Sequence, residues 1–297
     1  FESYTTHQSA KAHLVLGEHL SKFKEVIYRD SENEAGSNLD YIRRSFYNLF
    51  KMMETSDSLI TNERISNSFL FYSGLAATFL NTAAIYDGAS DVISEVLEKI
   101  ATWNIKNSIS LAGAGLNHAN TLNERGYTPS HATPFMCYAV DERYDKYQLP
   151  ENLTVKRTES REDSALNKKM LIETFGLSEE IMEAIFNPTF GKDSTYRYVL
   201  YDKGTPVSTS LFLVEGDFAG CFDVATPAGH QRKGYGAELM KFMLKEQERL
   251  GTKVICLQSS NAGLKLYKSL GFQVVEYQQT WNMTDPAVLA TKIHVGQ

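Results

Sequence analysis

The residues of this sequence that are best placed to do chemistry lie in a glycine-containing turn made of Gln231, Arg232, Lys233, Gly234, Tyr235 and Gly236. Glycine has no side chain, so backbone N–H groups there can approach a ligand closely, and the start of a helix adds partial positive charge. This combination is typical of a phosphate-binding cradle. The turn contains neither the Gly-x-x-x-x-Gly-Lys-Ser/Thr pattern nor the three-glycine dinucleotide fingerprint.

The elements that must position this turn are a strand before it and a helix after it. Phe218 and Val224 belong to a run of strand formers, and Pro227 ends that run because proline cannot donate to a β-ladder. The helix pattern that follows has one apolar face, formed by Leu239, Met240, Met243 and Leu244. A second strand pattern at 254–257 and a short helix pattern at 262–270 complete the unit.

These motifs resemble those of the GNAT superfamily of acyl-CoA-dependent N-acyltransferases, whose turn reads Gln/Arg-x-x-Gly-x-Gly/Ala. Gln231, Gly234 and Gly236 match that signature position for position. The resemblance implies that backbone amides of residues 231–236 hold the pyrophosphate of acetyl-CoA. It also places the two basic side chains of the turn near the outer phosphates.

The same resemblance implies how the rest of acetyl-CoA is held. Backbone groups of the strand at Phe222, Val224 and Thr226 would align the pantetheine arm like an added strand. The amide near Val224 would polarise the thioester carbonyl. Asn261 resembles a residue that hydrogen-bonds pantetheine, although a role as the N-cap of the next helix explains it equally well.

Two side chains are candidates for the proton transfers of acyl transfer. Tyr267 begins a Tyr-x-x-x-Gly-Phe motif, and the resemblance implies that its hydroxyl protonates the leaving thiolate. A half-buried tyrosine that only packs is the alternative. The candidate base for the amine is Asp223, with Glu215 and Asp217 as rivals and water as a further possibility.

Composition narrows the class of protein. The 297 residues are 42% hydrophobic and 22% charged with a net charge of -6, which is ordinary for a soluble globular protein and predicts neither a nucleic-acid nor a membrane partner. Three cysteines without a Cys-x-x-Cys pair indicate neither a disulfide framework nor a zinc site. With no span-length apolar run and no basic-plus-apolar leader, we expect a cytoplasmic protein without a metal.

The order of a strand, a helix and a Gly-aromatic pair that ends the helix occurs twice in the sequence, which predicts an internal duplication. We expect an α+β fold of two GNAT-like domains in tandem, each with a mixed sheet flanked by helices. Residues 1–145 would be a degenerate domain with extra N-terminal helices, and residues 150–297 the catalytic domain. The first copy has Gly88-Ala89-Ser90-Asp91 in place of the glycine turn, and Leu122 in place of the tyrosine.

The predicted function is therefore N-acetyl transfer from acetyl-CoA to a primary amine of a small molecule or peptide, by direct attack in a ternary complex. The alternative is a protein that binds or senses acyl-CoA without turnover. The acceptor, the acyl chain length and the oligomeric state are left open by the sequence.

Overall fold

A computed structural model of the chain describes residues 38–53, 60–283 and 285. The α-helices in these residues are α1 Asn38–Met53, α2 Ser90–Ala101, α3 Ala119–Glu124, α4 Arg161–Phe175, α5 Glu179–Phe186, α6 Tyr235–Arg249 and α7 Leu264–Ser269. The strands are β1 Thr61–Ile65, β2 Ser68–Tyr72, β3 Asn81–Ile85, β4 Asn107–Leu111, β5 Thr128–Ala139, β6 Leu153–Arg157, β7 Thr195–Asp202, β8 Thr205–Glu215, β9 Phe218–Ala225, β10 Val254–Gln258 and β11 Gln273–Met283. The apolar spacing of residues 9–28 predicts a further N-terminal helix, and this segment lies outside the described residues.

All eleven of these strands form a single sheet in the order β1-β2-β3-β4-β11-β5-β10-β9-β8-β7-β6. The β3–β4 and β9–β10 pairs are parallel, and the other neighbouring strands are antiparallel. Successive residues of a strand point to opposite faces of a sheet. Helix α6 packs on Ala219 and Cys221 of β9, whereas α1 packs on Phe218, so helices cover both faces of the sheet. The predicted α+β fold with a mixed, helix-flanked sheet is confirmed.

The two halves of the chain exchange strands at the centre of this sheet. Strand β5, from the first half, lies between β10 and β11 of the second half, and β11 in turn pairs with β4 of the first half. Neither half therefore completes its sheet with its own residues. The proposed domain bounds of 1–145 and 150–297 divide the sequence, but the hydrogen-bonded sheet crosses that division.

Helix α1 closes the middle of the sheet from one face. Its Ser45 lies so close to Gly220 of β9 that a Cβ at that glycine would be 1.8 Å from the serine Oγ. The ring of the next residue, Phe46, meets Phe222 edge-on with 5.4 Å between ring centroids. A helix from the first half thus contacts the strand that leads to the glycine turn.

Most predicted elements are present within a residue or two, and one is wrong. Phe79 and Leu80 are strand formers that predict an extended run, but they belong to a 3₁₀ helix, Thr78–Leu80, and strand β3 begins only at Asn81. The Asn81 side chain accepts from the Gly74 N–H at 3.0 Å and donates to two nearby carbonyl oxygens. These local side-chain bonds to the backbone compete with an extended conformation.

Candidate functional site

A wedge opens in the sheet where the two parallel strands β9 and β10 separate. Their paired register runs from Phe218 opposite Val254 to Cys221 opposite Leu257. Strand β9 continues to Ala225 with no partner on its β10 side among the described residues, while its other edge still pairs with β8. The backbone at 222–225 therefore offers an unpaired strand edge to an extended ligand.

A β-bulge lies within that unpaired stretch. Leu211 of β8 is opposite Phe222 and Thr209 is opposite Ala225, so a single residue of β8 faces two of β9, Asp223 and Val224. Asp223 has a φ of +54°, a left-handed conformation that costs energy for a residue other than glycine. Bulges bend a strand and change the direction of its backbone groups, here those of Val224.

A buried arginine holds the bulge. Arg197 of β7, with 4% of its side chain exposed, donates from Nη1 to the Asp223 Oδ2 at 2.8 Å. Its Nη2 donates to Thr189 Oγ1 at 3.3 Å, and the guanidinium lies 4.2 Å from the centroid of the Phe186 ring. Arg197 is not among the site residues predicted from the sequence, although a single arginine inside the apolar strand pattern of β7 is a recognisable signal.

The predicted cradle follows the wedge and is built from local geometry. Arg232 and Gly234 have φ values of +61° and +87°, and α6 begins directly after them at Tyr235. The first amide of this helix with a backbone acceptor is that of Ala237, which bonds the Gly234 carbonyl at 2.9 Å. Among the described residues, the amides of 232–236 have no backbone acceptor and lie at a surface-accessible helix start.

Side chains of the turn stabilise its shape. Gln231 Nε2 donates to the Thr226 carbonyl at 3.0 Å, and Lys233 Nζ donates to the Gly229 carbonyl at 2.9 Å. The Tyr235 hydroxyl donates to Asp202 Oδ2 at 2.5 Å, a hydrogen bond that lowers the pKa of that carboxyl. The ring of Tyr235 is thus held against the β7–β8 hairpin, and this residue presents its backbone to the cradle.

Tyr267 lies beneath the point where the strands part. It shares a buried cluster with Cys221 and Leu257, the last paired residues of β9 and β10. Its ring is 7% exposed and meets Phe272 edge-on with 5.7 Å between centroids. Burial raises the pKa of its phenol, and within the described part of the chain its hydroxyl makes no hydrogen bond. The site thus contains a neutral phenol that is free to donate.

The other predicted residues occupy less central positions. Asn261 is exposed and does not cap α7, because Ser260 Oγ accepts from the Gly263 N–H at 3.1 Å, so the N-cap explanation for Asn261 is wrong. Glu215 pairs with Arg44, and Asp217 lies just before β9, about 20 Å of strand away from the bulge at Asp223. The structure does not bring these two rival bases to the wedge.

The other parallel pair of the sheet, β3 and β4 in the first half, shows no such opening. Strands β3 and β4 stay paired to Ile85 opposite Leu111, and the Ala112 N–H then donates to the Ile85 carbonyl at 3.1 Å. Gly115 packs so tightly there that a Cβ would be 2.1 Å from the Ile85 carbonyl oxygen. Leu122, which the sequence pattern sets against Tyr267, is fully buried.

The described residues contain no cluster of three or more His, Cys, Asp or Glu side chains arranged to hold a metal ion. In the same part of the chain, every helix is too short or too polar to cross a bilayer. The groups that the structure brings to the wedge include backbone donors, the Tyr267 phenol and the Arg197–Asp223 ion pair.

An open strand edge that leads to a helix start with free amides is an arrangement that an extended, phosphate-bearing ligand would fit. Residues 193–274, which run from β7 to the first residues of β11, match the family model described as acetyltransferase (GNAT) domain. This part of the chain is therefore similar to the GNAT family, and the resemblance of the turn within it to that family is confirmed.

Similar proteins agree with this assignment. A stretch of 102 residues is 28% identical to "[Ribosomal protein bS18]-alanine N-acetyltransferase" of Escherichia coli (strain K12), covering 32% of this chain and 69% of that protein. A GCN5-related N-acetyltransferase from Kribbella flavida shares the fold, with a TM-score of 0.62 and 17% identity over 82% of this chain and 94% of its own. A tandem GNAT protein from the clavulanic acid biosynthesis pathway aligns with a TM-score of 0.50 and 12% identity, covering 73% and 82% of the two chains.

Proposed function

We propose that this protein is an N-acetyltransferase that transfers the acetyl group of acetyl-CoA to a primary amine of a small molecule or peptide. The observation that carries the proposal is that the unpaired edge of β9 leads directly to the free amides at the start of α6. An extended pantetheine arm can pair with an open strand edge, and a pyrophosphate is favoured at a helix N-terminus. Acetyl-CoA would supply the activated thioester.

The cradle has the space that this ligand needs. A Cβ built at Gly234 would meet nothing within 4 Å, so a phosphate can approach the backbone there. The amides of 232–236 would hold the pyrophosphate, with the exposed Arg232 side chain near the outer phosphates. Backbone groups from Phe222 to Thr226 would align pantetheine, and Asn261 would contact it from the far side of the wedge.

Two groups would act on the thioester itself. The Val224 N–H, turned by the bulge, would donate to the carbonyl oxygen and stabilise the charge that develops there. The amine nitrogen forms a bond to the carbonyl carbon, the carbon–sulfur bond breaks, and the Tyr267 hydroxyl gives its proton to the departing sulfur. The amine loses a proton in the same reaction, so a route for that proton is also required.

Asp223 was the predicted base for that proton, and its ion pair suggests a different role. Its carboxylate faces Arg197, which is almost fully buried and has no other carboxylate partner among the described ion pairs. A buried guanidinium without its counter-charge is costly, so this contact is under strong constraint. We propose that Asp223 and Arg197 hold the bulge in place and that water takes the amine proton.

We further propose that the first half is a degenerate GNAT-like domain with no acetyl-CoA site. The closed β3–β4 pair leaves no free strand edge, and Gly115 fills the position where a wedge would open. The Asp87 carboxylate accepts from the Ala89 N–H at 2.9 Å beside the start of α2, which places negative charge where a phosphate would bind. The chain should therefore bind one acetyl-CoA.

Calorimetric titration of the full chain with acetyl-CoA, followed by thiol-release assays, tests the proposal. The amine panel should include peptides with an N-terminal alanine, because the bacterial relative is named for that acceptor. One binding site with thiol release for some amine supports the enzyme. Binding without release across the panel favours the acyl-CoA sensor, and failure to bind would remove the basis of both.

A further inference from the structure

Two cysteines lie directly opposite each other where the exchanged strand β5 pairs with β10. The register places Cys137 of β5 across from Cys256 of β10. Three positions along, the Val140 N–H donates to the Lys253 carbonyl at 2.8 Å, which makes that pair a hydrogen-bonded one. Since hydrogen-bonded and non-hydrogen-bonded pairs alternate along an antiparallel ladder, an odd number of steps makes the cysteine pair a non-hydrogen-bonded one.

The other end of the ladder gives the same answer. The Ser259 N–H donates to the Pro134 carbonyl at 2.9 Å, again three positions from the cysteines. Residues of a non-hydrogen-bonded pair have Cα atoms about 4.5 Å apart and their side chains close together. Disulfides span Cα separations from about 4.4 to 6.8 Å, so the backbone is already within bonding range.

The thiols themselves are in contact, and one of the two cysteines lines a cavity. The Cys137 and Cys256 thiols are joined by a hydrogen bond, and this bond together with burial raises the pKa of Cys256 well above its usual value. Cys137 also lines a cavity of about 210 Å³ beside Asp141 and Arg143. A small oxidant entering this cavity would meet Cys137 first.

We propose that Cys137 and Cys256 are a modification site that peroxides convert to a reversible disulfide between the two halves of the chain. The Cys137 sulfur attacks the peroxide O–O bond, which gives a sulfenic acid and water. The Cys256 sulfur then attacks the sulfenic sulfur, the S–O bond breaks, and a second water leaves. Overall, two thiols and one hydrogen peroxide become one disulfide and two waters.

The bond would fasten an exchanged strand. It would tie β5, which comes from the first half, to β10, which forms one wall of the wedge. Because the strands are already paired at this register, the disulfide requires no rearrangement of the sheet, and acetyl-CoA affinity should be unchanged. The long chain segment between the two residues would be constrained in the unfolded state, so thermal unfolding should move up by roughly 5 °C or more.

The test is peptide mass spectrometry of the unmutated full chain after hydrogen peroxide treatment, digested without reductant. We expect a cross-linked pair of peptides containing Cys137 and Cys256 that disappears on reduction. Cys221→Ser is the matched control, since this third buried cysteine lies 3.9 Å from the Met240 sulfur and faces no cysteine across a strand. That variant should still form the cross-link.

Any of three results would overturn the proposal. The first is oxidation of Cys137 to the sulfinic acid with no cross-link in protein that circular dichroism shows to be folded. The second is a cross-link that includes Cys221, and the third is no thiol oxidation at all after prolonged treatment. None of these readouts depends on acetyl transfer, so they stand apart from the fate of the proposed enzyme activity.

Discussion

Replacing Tyr267 with phenylalanine separates the proposed acid from its packing role. The ring lies in the core against Phe272, and phenylalanine keeps that contact. The hydroxyl makes no hydrogen bond within the described residues, so we expect the free energy of unfolding to change by less than about 1 kcal/mol. A positioned general acid contributes about 10²- to 10⁴-fold to rate, so the acetylation step should slow by at least about 100-fold.

The pH dependence follows from burial of the same group. Burial raises the pKa of Tyr267, so its proton-bearing form persists through neutral and moderately alkaline pH. Any loss of wild-type activity at high pH in that range must therefore come from another group. The variant should have a lower rate at every pH with an unchanged profile shape.

A second buried tyrosine supplies the matched control. Tyr127 of the first half is fully buried, and its hydroxyl donates to the Asn107 Oδ1 at 2.7 Å. Tyr127→Phe leaves that buried acceptor without its donor, which should cost about 1–3 kcal/mol of stability. It should not change the acetylation rate of the folded enzyme, so the two variants should show opposite patterns of rate and stability.

The assay is single-turnover thiol release, which isolates chemistry from product release, together with calorimetric acetyl-CoA binding and thermal unfolding. Tyr267→Phe should bind acetyl-CoA with an affinity within about twofold of the wild type, because the proposed proton transfer to sulfur occurs after binding. A twofold change is small, since a tenfold change in affinity corresponds to only about 1.4 kcal/mol. A single-turnover rate within about threefold of the wild type would refute the acid assignment. A loss of stability like that of Tyr127→Phe would show that the hydroxyl is structural.

Three further predictions concern the cradle, the bulge and the exchanged strands. Gly234→Asp should abolish acetyl-CoA binding in calorimetry. The control is Gly251→Asp at the other end of α6, where the glycine has a similar φ of +79° and binding should be retained. Equal losses of binding in the two variants would mean that backbone strain alone is responsible. Arg197→Met and Asp223→Asn should each lower kcat. Because both changes break the same ion pair, the double variant should be no slower than either single variant. If Asp223→Asn lowered the rate equally in the presence and absence of Arg197, Asp223 would instead be a general base. A fragment of residues 150–297 lacks β5 and should be insoluble or aggregated in size-exclusion chromatography because the facing edges of β10 and β11 are exposed; a soluble monomer that binds acetyl-CoA would contradict the strand exchange.

The amino-acid sequence determined the parts of this protein that depend on neighbours along the chain. The turn at Asp202-Lys203-Gly204 has φ values of +47° and +83° at its last two residues, as its hairpin composition predicts. Ser178 caps α5 by accepting from the Ile181 N–H at 3.3 Å. The glycine turn and the amphipathic α6 were likewise predictable, because proline, glycine and apolar periodicity act over a few residues.

The tertiary structure alone decided which distant segments meet. The exchange of β5 and β11 has no local signal, since the apolar pattern of either strand suits any partner edge. Arg197 and Asp223 are 26 positions apart, and they meet only because a bulge turns the carboxylate toward the arginine. Cys137 faces Cys256 because of the register in which β5 pairs with β10, which is likewise a long-range feature of the fold. Local chemistry thus specifies the cradle, whereas long-range strand pairing specifies the wedge, its ion pair and the facing thiols.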